Sequence, residues 1–381
     1  MRIGLDVRYL SHGLFGGVRN FVHALATELP RIESSHEFFY YADEKGPLEL
    51  SDLPANVRVR TLPWRHSLSS IVNDTSLGRH AERDRLDVFH APANIAPRSR
   101  VPVVLTIHDS LNLFPMREHL RGFSRRPREV AMMLYLGRQT RQSLRHASHI
   151  TTPSEYSKCD IARRSGALLE RFTVVYSAAS DMFRPMTPEE LAPTTARHGI
   201  AGSYLLADGI KNPGVVLDAY RRLPDGERRA LQLVLFSREP RPRPVVSAAI
   251  REFGSTHVRF IARPPQSELV HLMAGATALL FPSFYEGFGL PLVEAMRCGV
   301  PIVASTRACI PEIVGDAGLC ADIDTPGAFA GQVRRLLADE PLRQTVARRS
   351  LERGRRFNWK TTAEQMLVVF ERYGQKARRA S

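Results

Sequence analysis

The sequence is short of cysteine, has no long apolar run and carries a deficit of acid. Its 381 residues include four cysteines, Cys159, Cys298, Cys309 and Cys320, with no C-x-x-C pair and no histidine at zinc-like spacing beside them. That excludes a disulfide-stapled scaffold and a zinc ribbon, and it fits a reduced, cytoplasmic setting. No stretch approaches the roughly 18 apolar residues of a membrane span. The chain is therefore expected in the cytoplasm, at most resting on the inner face of the cytoplasmic membrane. The opening Met1-Arg2-Ile3-Gly4-Leu5-Asp6-Val7 reads as a short strand, without the apolar segment of a leader peptide. Acid is the scarcer charge, with 39 Asp+Glu against 53 Lys+Arg and a net charge of +14. Such a balance favours anionic partners, and by itself does not choose among nucleotides, nucleic acids and anionic lipids. A hydrophobic fraction of 43% and a charged fraction of 24% exclude disorder and fibrous repeats. The length suits two domains.

What is present is a regular alternation. Short runs rich in Val, Ile, Leu and Phe recur at Ile3–Leu5, Phe38–Tyr41, Val57–Leu62, Val88–Phe89, Val103–Ile107 and Ile150–Thr152. They recur again at Tyr204–Ala207, Leu231–Leu235, Val258–Ile261, Ala278–Phe281 and Ile302–Val303. Amphipathic segments such as Val18–Leu29, Pro213–Leu223 and Pro291–Cys298 lie between them. The pattern predicts α/β architecture: parallel sheets covered by helices on both faces, twice over. The small, polar stretch Tyr176–Pro185 reads as the linker, and Arg238–Pro244 as a surface loop of the second domain. From Gly327 to about Arg379 the sequence turns helical. Ligands of such sheets bind beyond the carboxyl ends of the strands, so a nucleotide or phosphorylated ligand in a cleft between the domains is the default expectation.

The most informative segment runs from Phe281 to Met296, F-P-S-F-Y-E-G-F-G-L-P-L-V-E-A-M. A buried strand ends near Phe281, a glycine-bearing loop follows, and a helix starts near Pro291, since proline suits the first helical turn. Loop glycines let backbone N–H groups approach a ligand, and the helix start adds free donors and a dipole that favours an anion. Glu286 in the loop and Glu294 one turn into the helix can accept hydrogen bonds from vicinal hydroxyls. This pattern, Glu-x7-Glu within P-S-x-x-E-G-F-G-L-P-x-x-E-A, resembles the signature of the group 1 glycosyltransferases. That family is retaining and has two facing Rossmann-like domains, the GT-B fold.

The resemblance implies domains at 1–180, for the acceptor, and 181–360, for a nucleotide-sugar donor. A terminal helix, 361–381 after Phe357-Asn358-Trp359, would cross back to the first domain. It implies that Glu286 meets the donor sugar and Glu294 the ribose, with Gly287, Phe288, Gly289 and Leu290 near sugar and phosphate. Gly13, Gly16 and Gly17 correspond to the family's N-terminal glycine loop, with Gly16 and Gly17 near the donor phosphate. His108, in T-I-H-D after an apolar strand, resembles the family's active-site histidine; His90, in D-V-F-H-A-P, is a second candidate. Ser154 reads as the N-cap of a helix. Lys211-Asn212 match the lysine end of the family's phosphate loop, Y-L-L-A-D-G-I-K-N-P here. Lys211, Glu286 and His108 form the implied catalytic set, with Glu286 orienting the sugar rather than attacking it.

One departure stands out. The family's arginine ahead of that lysine is missing, and lysine does not replace its bidentate grip on phosphate. Arg263 and Arg8, each after a strand, are the candidate replacements. No metal site is evident: Asp322-Ile323-Asp324 reads as a loop leading into a helix. No cofactor is expected, and the diphosphate would rely on cationic side chains and helix dipoles. Arg117, Arg121, Arg125, Arg126, Arg128, Arg138, Arg141 and Arg145 are interleaved with apolar residues, which suits an anionic membrane face or a lipid-linked acceptor. The run Arg334–Arg356 reads as a plain solvated helix. No nucleic-acid motif accompanies the charge. The expected activity is retaining transfer from a nucleotide-diphosphate sugar, GDP-mannose or a UDP-sugar, to a glycan or lipid-linked acceptor in bacterial surface polysaccharide or glycolipid assembly. The alternative is a silent nucleotide- or sugar-binding protein of the same fold. A dinucleotide oxidoreductase would need a full glycine fingerprint, which the first domain lacks.

Overall fold

The structure is a computed structural model of the chain that describes residues 1–13, 16–32, 35–66, 69–115, 118 and 127–380, without the side chains of 127 and 376–380. It divides into two compact units: Met1–Ala178 with Trp359–Ser381, and Ala179–Asn358.

In the first unit, seven strands form one parallel sheet: β1 (Arg2–Asp6), β2 (Glu37–Asp43), β3 (Val57–Leu62), β4 (Val88–Ala91), β5 (Val103–Thr106), β6 (His149–Thr152) and β7 (Phe172–Val174). Their order is β3-β2-β1-β4-β5-β6-β7. β4, β5 and β6 are buried along their whole length, so the apolar runs Val88–Phe89 and Val103–Leu105 are continuous rather than alternating. One face of the sheet packs on the helix Gly17–Glu28 and the helix Trp359–Ala380. Phe21, Val22 and Leu25 from the former and Ala363, Met366 and Phe370 from the latter share a core with Ile3, Leu5 and Val88. The Thr362 hydroxyl donates to the Tyr176 carbonyl at 2.8 Å, fastening the start of the last helix beside the end of the first unit's own chain.

The second unit has six parallel strands: β8 (Ser203–Asp208), β9 (Leu231–Ser237), β10 (Val258–Ala262), β11 (Ala278–Phe281), β12 (Ile302–Ser305) and β13 (Leu319–Ala321), in the order β10-β9-β8-β11-β12-β13. The edge strand β13 was not read from the sequence. Leu319, Cys320 and Ala321 pair there with Val303, Ala304 and Ser305. Helices Pro213–Arg221 and Ala328–Ala338 pack on one face around Leu205, Leu233 and Val303. The basic run Arg334–Arg356 falls on the helices Ala328–Ala338 and Glu340–Gly354, which keep Val333, Leu336 and Val346 inward. Among the described residues, no helix is long and apolar enough to cross a membrane.

Both sheets are doubly wound and reverse strand order once, between β1 and β4 and between β8 and β11. Loops beyond the carboxyl ends of those strands diverge and leave a crevice, the position where such sheets take ligands.

Candidate functional site

In the second unit, two loops meet at the β8/β11 crevice. The loop Asp208–Asn212 is tied to both neighbouring strands. The Gly209 amide donates to the Phe236 carbonyl at 2.8 Å, and the Ile210 amide to the Asp208 carboxylate at 2.8 Å. The Asn212 side-chain amide donates to the Pro282 carbonyl at 3.2 Å. Asn212 itself is left-handed, at φ 53°, a conformation asparagine tolerates, and Pro213 then opens the helix. Lys211 reaches from this loop to Glu286, with which it pairs, while its ammonium lies 5.0 Å from the centre of the Phe281 ring.

Glu286 is held from three sides. The Ser283 hydroxyl donates to its carboxylate at 2.8 Å, the Ser305 hydroxyl donates to the Ser283 carbonyl at 2.6 Å, and the Cys309 thiol donates to the Glu286 carbonyl at 3.2 Å. Burial pushes the Cys309 thiol pKa up, so it stays a donor. Sequence reasoning did not single out Ser283, Ser305 or Cys309. They carry no motif of their own and work only because β11 and β12 are neighbours. Gly289 caps the helix Leu290–Arg297 at φ 86°, and a Cβ there would lie 2.9 Å from Leu292 Cδ1, so this position demands glycine. Phe288 points inward and packs edge-on against Phe357, centroids 5.7 Å apart, so it supports the loop from below.

Glu294 lies one turn into that helix with 9% of its surface exposed. Burial lifts its pKa to about 7, against the opposing pull of Arg238 and Lys211. Burial also raises that of Asp208, against the Ile210 amide and the same two cations. Arg238, just beyond β9, is thus a member of this charge cluster that sequence reasoning passed over as part of a surface loop. The available signal was an arginine directly after a fully buried strand. Arg263 follows β10, as the sequence suggested; it is exposed, and its Nε donates to the Arg238 carbonyl at 3.1 Å. Asp322 and Asp324 both pair with Arg307, beyond β12, and Asp322 also accepts from the Thr325 hydroxyl at 2.9 Å, so their carboxylates are engaged by neighbouring side chains. Among the described residues, no group of three or more His, Cys, Asp or Glu could hold a metal ion.

In the first unit, His108 follows β5, half-buried, with Nε2 2.9 Å from the Pro92 carbonyl and its ring edge-on to Phe21 at 5.1 Å. A carbonyl only accepts, so Nε2 carries the proton. Burial lowers the ring's pKa to about 4 in spite of that bond, which leaves Nδ1 as a bare acceptor at neutral pH. His90 is different from the sequence expectation. It lies inside β4, fully buried, in a hydrogen-bonded chain to Thr106 at 2.8 Å and on to Thr151 at 2.7 Å. Burial and the neighbouring His108 take its pKa to about 3, so it is a neutral core residue. Arg8 is also withdrawn: it donates to Asp6 at 2.9 and 2.7 Å and to Asp74 at 2.7 Å, and is 7% exposed. Gly16 caps the helix Gly17–Glu28 at φ 128°, with Gly17 as its first residue. Ser154 caps Glu155–Ser165, accepting from the Ser157 amide at 3.1 Å. Of the arginines read as one basic segment, Arg117, Arg121, Arg125 and Arg126 lie outside the described residues, and Arg128, Arg138, Arg141 and Arg145 lie on the helix Pro127–His146.

Two doubly wound units, one with a lysine–glutamate pair at its crevice and a glycine-capped helix behind it, define a GT-B type α/β protein. The comparisons agree. The family model for glycosyl transferases group 1 matches residues 207–353, and that for glycosyltransferase family 4 matches residues 15–179. The chain is 31% identical over 299 residues to O-antigen chain mannosyltransferase B of Escherichia coli, covering 76% of each. Its fold is similar to that of the sucrose-phosphate synthase of Thermosynechococcus elongatus, with a TM-score of 0.72 and 18% identity over the whole of both chains. It is similar also to HepE of Anabaena, solved in complex with UDP, with a TM-score of 0.70 and 18% identity over 97% of this chain and 99% of that one. The chain belongs to the group 1 glycosyltransferases, and its enzyme class is glycosyltransferase.

Proposed function

We propose that the chain is a retaining, metal-independent transferase that moves a sugar, most simply mannose from GDP-mannose, with a UDP-sugar as the other donor class, to a glycan or lipid-linked acceptor in surface polysaccharide or glycolipid assembly. The observation that carries this reading is the Lys211–Glu286 pair held at the β8/β11 crevice beside the buried Glu294. The E. coli relative named as an O-antigen chain mannosyltransferase supports the choice of sugar and pathway.

The chemistry follows from the charges. Lys211 turns from Glu286 to the donor diphosphate, and Glu286, still gripped by Ser283, accepts hydrogen bonds from the sugar hydroxyls. Glu294 receives the ribose. The bond from the anomeric carbon to the phosphate oxygen breaks, and the acceptor oxygen bonds to that carbon from the same face. The acceptor proton passes to the departing phosphate oxygen, so no protein carboxylate is needed as nucleophile. Lys211 and the amides at the start of Leu290–Arg297 neutralise the charge that develops on the phosphate. In the first unit, His108 offers Nδ1 as an acceptor for a hydroxyl, and Gly16 and Gly17 leave the start of the helix Gly17–Glu28 open to close approach by a ligand.

Membrane contact belongs to the same proposal. Arg138, Arg141 and Arg145 line one open cavity with Leu134 on the helix Pro127–His146. None forms an ion pair with a described carboxylate, and Met132 and Leu134 are exposed beside them. Cations flanking exposed apolar residues suit an anionic lipid surface.

Thermal unfolding with UDP, GDP, ADP and their sugar conjugates, with and without Mg²⁺, tests the donor reading. A ligand at a hundred times its dissociation constant adds about 2.7 kcal/mol. The expected result is a metal-independent rise with one nucleotide, lost in Lys211→Ala. No rise with any of them at millimolar concentration sinks it.

A further inference from the structure

We propose that Arg238 supplies the phosphate-binding guanidinium that the loop after β8 lacks. The proposal rests on the reading of the chain as a nucleotide-sugar transferase.

The crevice is short of positive charge without it. Asp208, Glu286 and Glu294 converge there, and Lys211 is the one cation on either of the two crevice loops, Asp208–Asn212 and Pro282–Gly289. A diphosphate entering beside three carboxyl groups needs a second cation, and its geometry favours a fork with two donors over a point charge.

Register places Arg238 to provide it. Phe236 is the partner of Asp208 across β8 and β9, and the Gly209 amide is bonded to its carbonyl. Arg238 therefore leaves the sheet level with the phosphate loop, one strand away. Adjacent strands are about 4.8 Å apart, which puts β9 about 7 Å from the centre of the crevice and β10 about 12 Å from it. An extended arginine spans the first distance and not the second, so Arg238 qualifies where Arg263 does not. Arg263 has another task. Its amide donates to the Ser237 carbonyl at 2.6 Å and its Nε to the Arg238 carbonyl at 3.1 Å, which fixes the backbone from which Arg238 projects.

Arg238 is also uncommitted. It is exposed and forms no ion pair with a described carboxylate, whereas its neighbour Glu239 pairs with Arg243 at 3.5 Å. Its charge already acts on the crevice, since it favours the ionised forms of both Glu294 and Asp208. By contrast, the buried Arg8 already spends its Nε and Nη2 on two carboxylates.

The test is calorimetric titration of GDP, GMP and guanosine, and of UDP, UMP and uridine, into the full chain and its Arg238→Ala, Arg238→Lys and Arg263→Ala variants. Loss of a charge-assisted, bidentate contact predicts about ten- to a hundredfold weaker diphosphate binding in Arg238→Ala. Nucleoside binding should stay within about twofold, because the contact is to phosphate alone. Arg238→Lys should recover part of the loss, and Arg263→Ala should lose less than Arg238→Ala. Diphosphate binding that is unchanged in Arg238→Ala overturns the proposal, as does a larger loss in Arg263→Ala. A native chain that binds neither diphosphate overturns the transferase reading itself, a result distinct from loss in the variant alone. Arg238 is exposed on a loop, so the variants should unfold at the temperature of the parent.

Discussion

The two sheets reverse strand order in the same way, yet their crevices differ. At the first, the charges are satisfied from within: Arg8 is clasped by Asp6 and Asp74, His12 is bonded to Asp43 at 2.7 Å, and His90 is spent on Thr106. At the second, Lys211 shares one carboxylate, Arg238 has no ion-pair partner among the described residues, and burial raises the pKa of two further carboxyl groups. Topology supplies a crevice twice, and only the local charge balance decides which one is fitted to an anion. A guanidinium that has already met two carboxylates has little left for a phosphate.

Removing each cation in turn tests that contrast. Arg8→Ala leaves Asp6 and Asp74 without their counter-charge in a buried setting, which should cost about 3–5 kcal/mol of stability. Nucleotide affinity of the fraction that stays folded should be untouched. Lys211→Ala should do the reverse: a small change in unfolding temperature and a loss of transfer of about 10²–10³-fold, the usual cost of removing one donor that stabilises developing charge. Denaturant titration and a transfer assay on both variants decide the matter. If Arg8→Ala weakens nucleotide binding while staying folded, the contrast between the crevices collapses.

The same contrast explains how much was legible in the sequence. Both sheets could be read because internal parallel strands are rich in apolar residues, and eleven of the thirteen strands stand out as runs rich in Val, Ile, Leu and Phe. β13 could not, since a three-residue edge strand beside a glycine has the composition of a turn. Glu286, Glu294, Lys211 and Asn212 could be read because they fall within contiguous patterns of loop and helix start. Arg8, Arg263 and Arg238 could not be ranked, because all three follow a strand. Rank depends on strand order and on which carboxylates lie opposite, neither of which is local in sequence. His90 and His108 differ for a similar reason: one falls inside its strand and the other two residues beyond the end of its own.

The first unit does keep cations without an ion pair to a described carboxylate, on the flank of the sheet rather than at its crevice. Replacing Arg138, Arg141 and Arg145 together by Gln should weaken binding to vesicles containing anionic lipid by about a hundredfold, at about 1 kcal/mol for each charge near the surface. Binding to neutral vesicles should be unaffected, and the loss should shrink as salt is raised. Equal binding of parent and variant in a sedimentation assay would assign the helix Pro127–His146 to solvent alone.

Burial acts on both units with opposite signs, and this gives an effect that only pH reveals. In the first unit it depresses His90 and His108 below their ordinary value of 6.5, so stability is lost as pH falls from that value towards about 3 and 4. In the second it raises Glu294 from 4.5 to about 7, so the folded chain holds a proton there that the unfolded chain has released. That contribution is present below pH 4.5 and is lost as pH rises through about 7. Glu294→Gln keeps a neutral, hydrogen-bonding side chain and abolishes the titration. At pH 8 it should therefore be more stable than the parent by about 3 kcal/mol, and at pH 4 the two should converge. Nucleotide binding should move the other way, because a ribose hydroxyl donates better to a carboxylate than to an amide oxygen. A variant that is more stable at pH 8 and binds nucleotide less tightly would show that the crevice keeps Glu294 at a cost in stability for the sake of its ligand. A variant no more stable at pH 8 would mean that Arg238 and Lys211 already offset the burial of the charge in the empty crevice.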